Sequence, residues 1–440
     1  MTPSVPFAER WFISMKVKFA DICIIKSSKR IFENEYVDDG VPFIRGQEIS
    51  DGSLLAENAT FECYISHQRY NELKNKYGVP VLGDILITSV GTIGNLYYVD
   101  KKRDFYFKDG NVILFTSFSE KVNSKYLYYY MRSPLFKKQL EYAMIGAVQK
   151  ALTMVMLNKI EIDLPTIEKQ NAIVRILEKI DSKISNNNKI NAELESMAKT
   201  LYDYWFLQFE FPNEEGKPYK SSGGKMVWNE ELKREIPEGW KDGIIGDLGE
   251  IIAGGTPSTK NEDYYTEDGI AWITPNDLSN TDNKYISHGE RDITEVGLKN
   301  SSAKLMPRGT VLLTSRAPIG YIGVAANEIC TNQGFKSIVP YKKYGTEFVY
   351  YTIKTMIPYI KLVGSGSTFT EVSKEVVEKI KIVLPDTNII LKYNSSIEYM
   401  AQYREKLEKE NKELTELRDF ILPLLMNGQV GFNGKNHKYI

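Results

Sequence analysis

The sequence predicts an α+β fold: two copies of one mixed α/β domain, joined by two long helices that form an antiparallel coiled coil about a pseudo-two-fold axis. Three observations predict it. Ile173, Ile180, Asn187, Leu194 and Leu201 repeat by sevens, with Leu177, Ile184, Asn191, Ala198 and Trp205 four residues on. These are the a and d rows of a heptad. A second heptad places Tyr393, Met400, Leu407, Leu414 and Ile421 in one row and Ile397, Arg404, Asn411 and Arg418 in a weaker one. Finally, the segments preceding the helices match in order and end alike, at Leu164-Pro165 and Leu384-Pro385. Laid over each other from these Leu-Pro pairs, the two helices keep one offset of 220 residues, with Asn191 on Asn411, Leu194 on Leu414 and Leu201 on Ile421. Such a shared ungapped register marks an internal repeat.

Residues 15–165 read as the first domain. Val41 to Gly46 is a strand running into a turn, and Gly83 to Ser89 is a β-rich run closed by Gly91-Thr92-Ile93-Gly94. Leu96 to Val99 and Val112 to Phe115 are further strands, Ser124 to Ala143 a helix, and Ile160 to Leu164 a last alternating strand. Residues 166–206 form the central helix, roughly 60 Å long at 1.5 Å per residue. Such a helix needs a partner for its apolar seam, and seam asparagines restrict the registers that the pair can adopt.

Residues 207–240, rich in charge, Gly and Pro, read as an exposed linker without a core. Residues 241–385 then repeat the first domain. Trp272-Ile273 answers Phe43-Ile44, Gly309 to Ser315 answers Gly83 to Ser89, and Tyr350-Tyr351 answers Tyr128-Tyr129. Residues 386–427 carry the distal helix, expected from about Asn388 to Leu422, just short of Pro423.

Composition bounds the function. The 440 residues carry 42% hydrophobic and 26% charged side chains, as in ordinary globular chains of several domains. A net charge of −1 gives no global sign of nucleic-acid binding, although a balanced sum can hide basic faces. Cys23, Cys63 and Cys330 form no CxxC, and His67, His288 and His437 no cluster, so a reduced compartment and no metal site are expected. No apolar run is long enough for a membrane span, and the opening residues do not read as a signal peptide. The expectation is a cytoplasmic protein without membrane partners. Met15 is a candidate alternative start.

No catalytic motif appears: no Walker loop, no G-x-S-x-G, no H-E-x-x-H, and none of the Pro-Pro-aromatic motifs with which adenine methyltransferases hold a base. The repeats offer instead matched loops with different polar side chains. Arg45, Gln47 and Glu48 stand against Thr274, Asn276 and Asp277, and Ser89 against Ser315 and Arg316. Lys108 and Asn111 stand against Asn332, Gln333 and Lys336, and Gln149 and Lys150 against Ser367 and Thr368. Arg, Lys, Asn and Gln read guanine and adenine edges, while Ser, Thr and Lys suit phosphates. A constant framework with variable tips suits two modules that read different DNA sequences.

Trp240 with Gly246, Gly254-Gly255-Thr256-Pro257-Ser258, Ala271 to Leu278, and Gly309 to Ser315 with Ile319-Gly320 resemble a target-recognition domain. With Leu-Pro and a long helix twice, the chain resembles the specificity subunit of a type I restriction–modification system. In the first copy Ser27-Ser28-Lys29-Arg30 replaces the Gly-Gly-Thr-Pro-Ser segment. The resemblance implies a non-catalytic subunit that binds double-stranded DNA, each domain reading half of a split target. It also implies two modification subunits bringing S-adenosylmethionine, restriction subunits using ATP and Mg²⁺, and no cofactor in this chain. The alternatives are a self-sufficient DNA nuclease or methyltransferase, and a stand-alone DNA-binding regulator.

Overall fold

The computed structural model describes residues 14–50, 59–100, 103–145, 151–316, 318–365 and 371–430. The chain divides into two units, Met1–Ile184 with Glu413–Ile440, and Ser185–Lys412, so that the boundary falls inside both long helices.

In the first unit, Ile85–Thr88 and Val112–Thr116 are buried along their whole length, as runs of β-branched and aromatic residues should be in the middle of a sheet. The described strands of this sheet run in the order Ile24–Lys26, Val112–Thr116, Ile85–Thr88, Leu96–Tyr98, all antiparallel. A second sheet holds Tyr36–Val37, Tyr64–Ile65, Val41–Ile44 and Tyr106–Phe107, the last two parallel. Ser14–Lys18 pairs with Glu161–Pro165 and leads directly to the first long helix.

The helix expected over Ser124 to Ala143 is two helices, Ser124–Arg132 and Pro134–Met144. Pro134 forces the residue before it out of the helical region, and Ser133 lies extended at ψ 154°. The second unit has one helix here, Thr346–Ser365. Its main sheet runs Gly249–Ala253, Lys336–Pro340, Val311–Leu313, Ile322–Ala325, Tyr285–Ile286.

The repeat is visible bond by bond. Gly94 N donates to Thr88 O at 3.0 Å, and Gly320 N to Thr314 O at 3.0 Å. Asn95 N reaches Thr88 Oγ1 at 3.0 Å, and Tyr321 N reaches Thr314 Oγ1 at 2.8 Å. Both turns need a residue at positive φ, and Gly94 (+93°) and Gly320 (+98°) supply it.

Residues 207–240 are not an exposed linker. Phe209, Phe211, Ile236 and Trp240 are buried, and Met226–Asn229 pairs with Arg234–Pro237 as a hairpin. Trp240 stacks on Phe211 at 5.0 Å and meets Phe206 at 6.0 Å, which joins this segment to the core of the second unit. Widely spaced aromatics among Gly, Pro and charged residues disappear from an averaged composition; packing recovers them.

The long helices are Ile167–Tyr202, continued by a π turn over Asp203–Leu207, and Thr387–Met426. The second continues through Pro423, against expectation. Proline removes one N–H and crowds the preceding turn; three residues from the helix end, few bonds remain to be lost. Within the second unit Asn187 Nδ2 donates to Asn411 Oδ1 at 2.9 Å, and Tyr393 OH to Ala198 O at 3.2 Å. The numbering rises along one helix as it falls along the other, so they run antiparallel. Within the first unit Asp181 meets Arg418 at 3.0 Å, and Ile173 and Leu177 share a core with Leu422 and Leu425.

One arrangement fastens helices to domain in both units. In the first, Asp181 accepts from Tyr129 OH at 2.7 Å and pairs with Arg132 and Arg418. In the second, Glu195 accepts from Tyr351 OH at 2.9 Å and pairs with Lys354 and Arg404. Burial alone would raise the Glu195 pKa, but Arg404, Lys354 and Lys284 outweigh it and hold the carboxyl below its ordinary value. A depressed carboxylate stabilises above its unfolded pKa of about 4.3 and loses that contribution as pH falls through the folded value. Glu195→Gln is therefore expected to lower the melting temperature at pH 7, and thermal melts should show the gap to wild type narrowing below about pH 4.

Candidate nucleic-acid interface

Two short parallel strand pairs position the candidate residues. In the first unit Phe43 lies opposite Tyr106 and Ile44 opposite Phe107, and Lys108 N donates to Ile44 O at 2.8 Å. The chain therefore leaves both strands at one end, into the loops of Arg45 to Glu48 and Lys108 to Asn111. Ser89 joins a third loop to them, its Oγ donating to Gly110 O at 2.9 Å and its N to Asn111 O at 2.8 Å. The second unit repeats this. Trp272–Ile273 pairs in parallel with Cys330–Thr331, Asn332 N donates to Ile273 O at 2.9 Å, and Ser315 Oγ donates to Gly334 O at 3.1 Å.

Within each unit, then, the described candidates come together in one three-loop cluster. Gln47, Asn276 and Gln333 are exposed, while Arg45, Lys108, Asn111, Thr274, Asp277, Arg316 and Asn332 are half-buried. Gln149, Lys150, Ser367 and Thr368 lie outside the described residues.

Five candidates are corrected from surface contacts to supports, because their polar atoms are engaged within the protein. Glu48 is buried, accepts from Arg45 N at 2.8 Å and pairs with the Arg45 guanidinium at 2.8 Å. That hydrogen-bonded pairing raises the Arg45 pKa further. Ser89 and Ser315 are buried with their hydroxyls on glycine carbonyls, so the phosphate contact expected of them has no exposed hydroxyl to make it. Lys336 is buried with its ammonium on Ser315 Oγ at 3.2 Å and Glu371 at 3.2 Å. Asp277 is half-buried but likewise engaged, accepting from Thr274 N at 2.7 Å, Thr274 Oγ1 at 2.6 Å and Glu290 N at 2.8 Å.

Sequence reasoning missed the basic and aromatic residues that reach these clusters from elsewhere in the chain. Arg30 pairs with Asp109 at 2.9 Å, bringing the exposed Lys29-Arg30 segment to the first cluster. Lys29 and Lys76 flank the ring of Tyr77 at 5.9 and 5.5 Å. The interleaving of Lys74, Lys76 and Tyr77 was the available signal. In the second unit the Gly-Gly-Thr-Pro-Ser segment supports the cluster directly. A Cβ on Gly254 would lie 2.0 Å from Asn332 O, and one on Gly255 2.4 Å from Ala303 N, so neither position admits a side chain. Gly255 O accepts from Trp272 Nε1 at 3.0 Å, and Pro257 O from Tyr265 OH at 2.7 Å. Beside these rings opens a cavity of about 610 Å³ lined by Tyr265, Glu267, Trp272, Thr274, Glu290 and Arg291, among others.

Burial pushes the Cys23 and Cys330 thiols up to about 12, so neither is a ready nucleophile. Among the described residues no helix is long and apolar enough to cross a membrane.

Comparison with known proteins agrees with the repeat. A family model described as "Type I restriction modification DNA specificity domain" matches twice, over residues 14–196 and 237–418. The MjaIX type I restriction enzyme specificity subunit of Methanocaldococcus jannaschii is 39% identical over 223 residues, covering 49% of this chain and 51% of that protein. This match thus spans about half of that relative's length. The HindI specificity subunit of Haemophilus influenzae is 25% identical over 439 residues, covering 87% of this chain and 94% of its own. The crystal structure of a type I restriction–modification S subunit from M. genitalium superposes with a TM-score of 0.57 at 15% identity, covering 97% of this chain and 99% of that one. It shares the fold.

Proposed function

From the premise that this chain belongs to the type I restriction–modification DNA specificity family, which the two matched segments show, we propose that it is the non-catalytic DNA-reading subunit of such a system. It reads a split, asymmetric target and directs adenine methylation and restriction by partner subunits. The observation that carries this reading is the pair of three-loop clusters, equal in framework and different in tip chemistry.

Each module, residues 15–165 and 241–385, contributes one half of the target. Direct reading falls to the exposed or half-buried Arg45, Gln47, Lys108, Asn111, Thr274, Asn276, Arg316, Asn332 and Gln333, whose donors and acceptors suit major-groove edges. Gln149, Lys150, Ser367 and Thr368 complete the set, while Glu48, Asp277, Ser89, Ser315 and Lys336 hold the loops in place. The paired helices set the unread gap between the halves.

Two modification subunits, carrying S-adenosylmethionine, dock on the outer helix faces. Exposed apolar residues there support this: Leu391 and Tyr399 in the second unit, Leu417 and Phe420 in the first. Restriction subunits add ATP- and Mg²⁺-dependent cleavage, and this chain holds no cofactor of its own.

Domain exchange tests the reading. Replacing residues 15–165 with the matching domain of another family member should change one half of the methylated sequence and leave the other half intact. Loss or alteration of both halves together would contradict independent modules.

A further inference from the structure

Resting on the reading above, we infer that Arg291 reads a guanine in the half-site of the second module. The other arginines at the two clusters are otherwise engaged: Arg30 with Asp109, Arg45 with Glu48 and Glu62, Arg316 with Glu371. Among the described residues Arg291 has no carboxylate or hydrogen-bond partner. Its guanidinium lies 4.0 Å from the centre of the Tyr265 ring, its donors left unpaired.

That ring is itself fixed. Tyr265 OH donates to Pro257 O at 2.7 Å, and the ring meets the edge of Trp272 at 5.7 Å. The backbone is fixed too, because Asp292–Ile293, directly after Arg291, pairs with Tyr265–Thr266. A guanidinium stacked on a pinned ring loses little freedom on binding, and its planar fork matches the O6 and N7 acceptors of guanine.

The surroundings favour a base over a phosphate. Arg291 shares its cavity with the exposed carboxylates of Glu267 and Glu290. Those charges repel the DNA backbone, yet a carboxylate accepts from the amino group of cytosine, the partner of guanine. An arginine and a carboxylate lining one cavity therefore suit the major-groove edge of one G·C pair. Thr274 opens on the same cavity, which places this edge beside the loops already described.

The test uses the chain assembled with its modification subunits. Methylated sites are mapped, and binding is measured on target duplexes, for wild type, Arg291→Ala and Arg291→Lys. Arg291→Ala should lose about 10- to 100-fold of its discrimination at one G·C pair of the second half, leaving the first half unchanged. Arg291→Lys should restore charge without restoring that discrimination, since a point charge cannot replace the fork. With wild type, 7-deazaguanine at that position should weaken binding, and Arg291→Ala should be insensitive to it. An unchanged methylation motif overturns the assignment. So does a uniform loss of affinity across sequences with a shallower salt dependence, which would mark a phosphate contact. A wild-type complex that reads no split target overturns the reading of the preceding subsection, and this assignment with it.

Discussion

Trp240→Ala is expected to destabilise the second unit by about 3–5 kcal/mol, the usual cost of removing a buried aromatic from a packed core. Its indole is 6% exposed and lies against Phe206, Phe209 and Phe211. For a domain of this size that corresponds to a fall of roughly 10 °C in melting temperature. Trp228→Ala, the same substitution in the same segment, removes a side chain that is 57% exposed. It should stay within about 0.5 kcal/mol of wild type. Thermal melts of the two variants separate the accounts, because a segment acting only as a tether would respond equally weakly to both.

Glu408→Ala is expected to cost a comparable amount, about 3–5 kcal/mol, because it breaks a buried charged network rather than a surface pair. Glu408 is 4% exposed and accepts from Lys284 N at 3.0 Å, Tyr285 N at 2.9 Å and Arg404 Nε at 2.8 Å. Its removal orphans two backbone donors and leaves the Arg404 guanidinium with Glu195 alone. Lys284, paired with Glu347 at 2.5 Å, stands beside it in the same buried group. Burial pulls the Lys284 ammonium below its ordinary pKa against the attraction of Glu347, so the cluster tolerates little further loss of negative charge. Glu408→Gln, which keeps an acceptor without the charge, should lie between alanine and wild type in chemical denaturation.

The parts of the fold that were legible were those with a period or a repeat. Ile173, Leu177 and Ile180 announce a seam because apolar residues three and four apart share a helix face, and all three are buried. The matched Thr-Ser runs announced two copies, and the same turn bonds appear in both. The carboxylate fastenings were not legible. Asp181 and Glu195 look like any solvated helix residue until Tyr129 and Tyr351 arrive from segments distant in sequence.

The candidate site was legible at its loops, because Arg45 to Glu48 and Thr274 to Asp277 follow matched strands. Which tips face outward was not. Ser89 and Ser315 carry hydroxyls suited to a phosphate, yet the parallel pairs at Phe43–Ile44 and Trp272–Ile273 bring Gly110 and Gly334 to receive them. A two-residue pairing leaves no periodic trace. Arg291 stayed hidden for the same reason, since its stacking partner Tyr265 reaches it across a strand pair of that length.

The most direct test of two reading modules on one chain is single-molecule sequencing of DNA modified by this subunit together with its modification partner. The account predicts methylated adenines in a split motif: two unlike short halves separated by a gap of fixed length and free sequence. Methylation within one uninterrupted motif, or with no sequence preference, would contradict it.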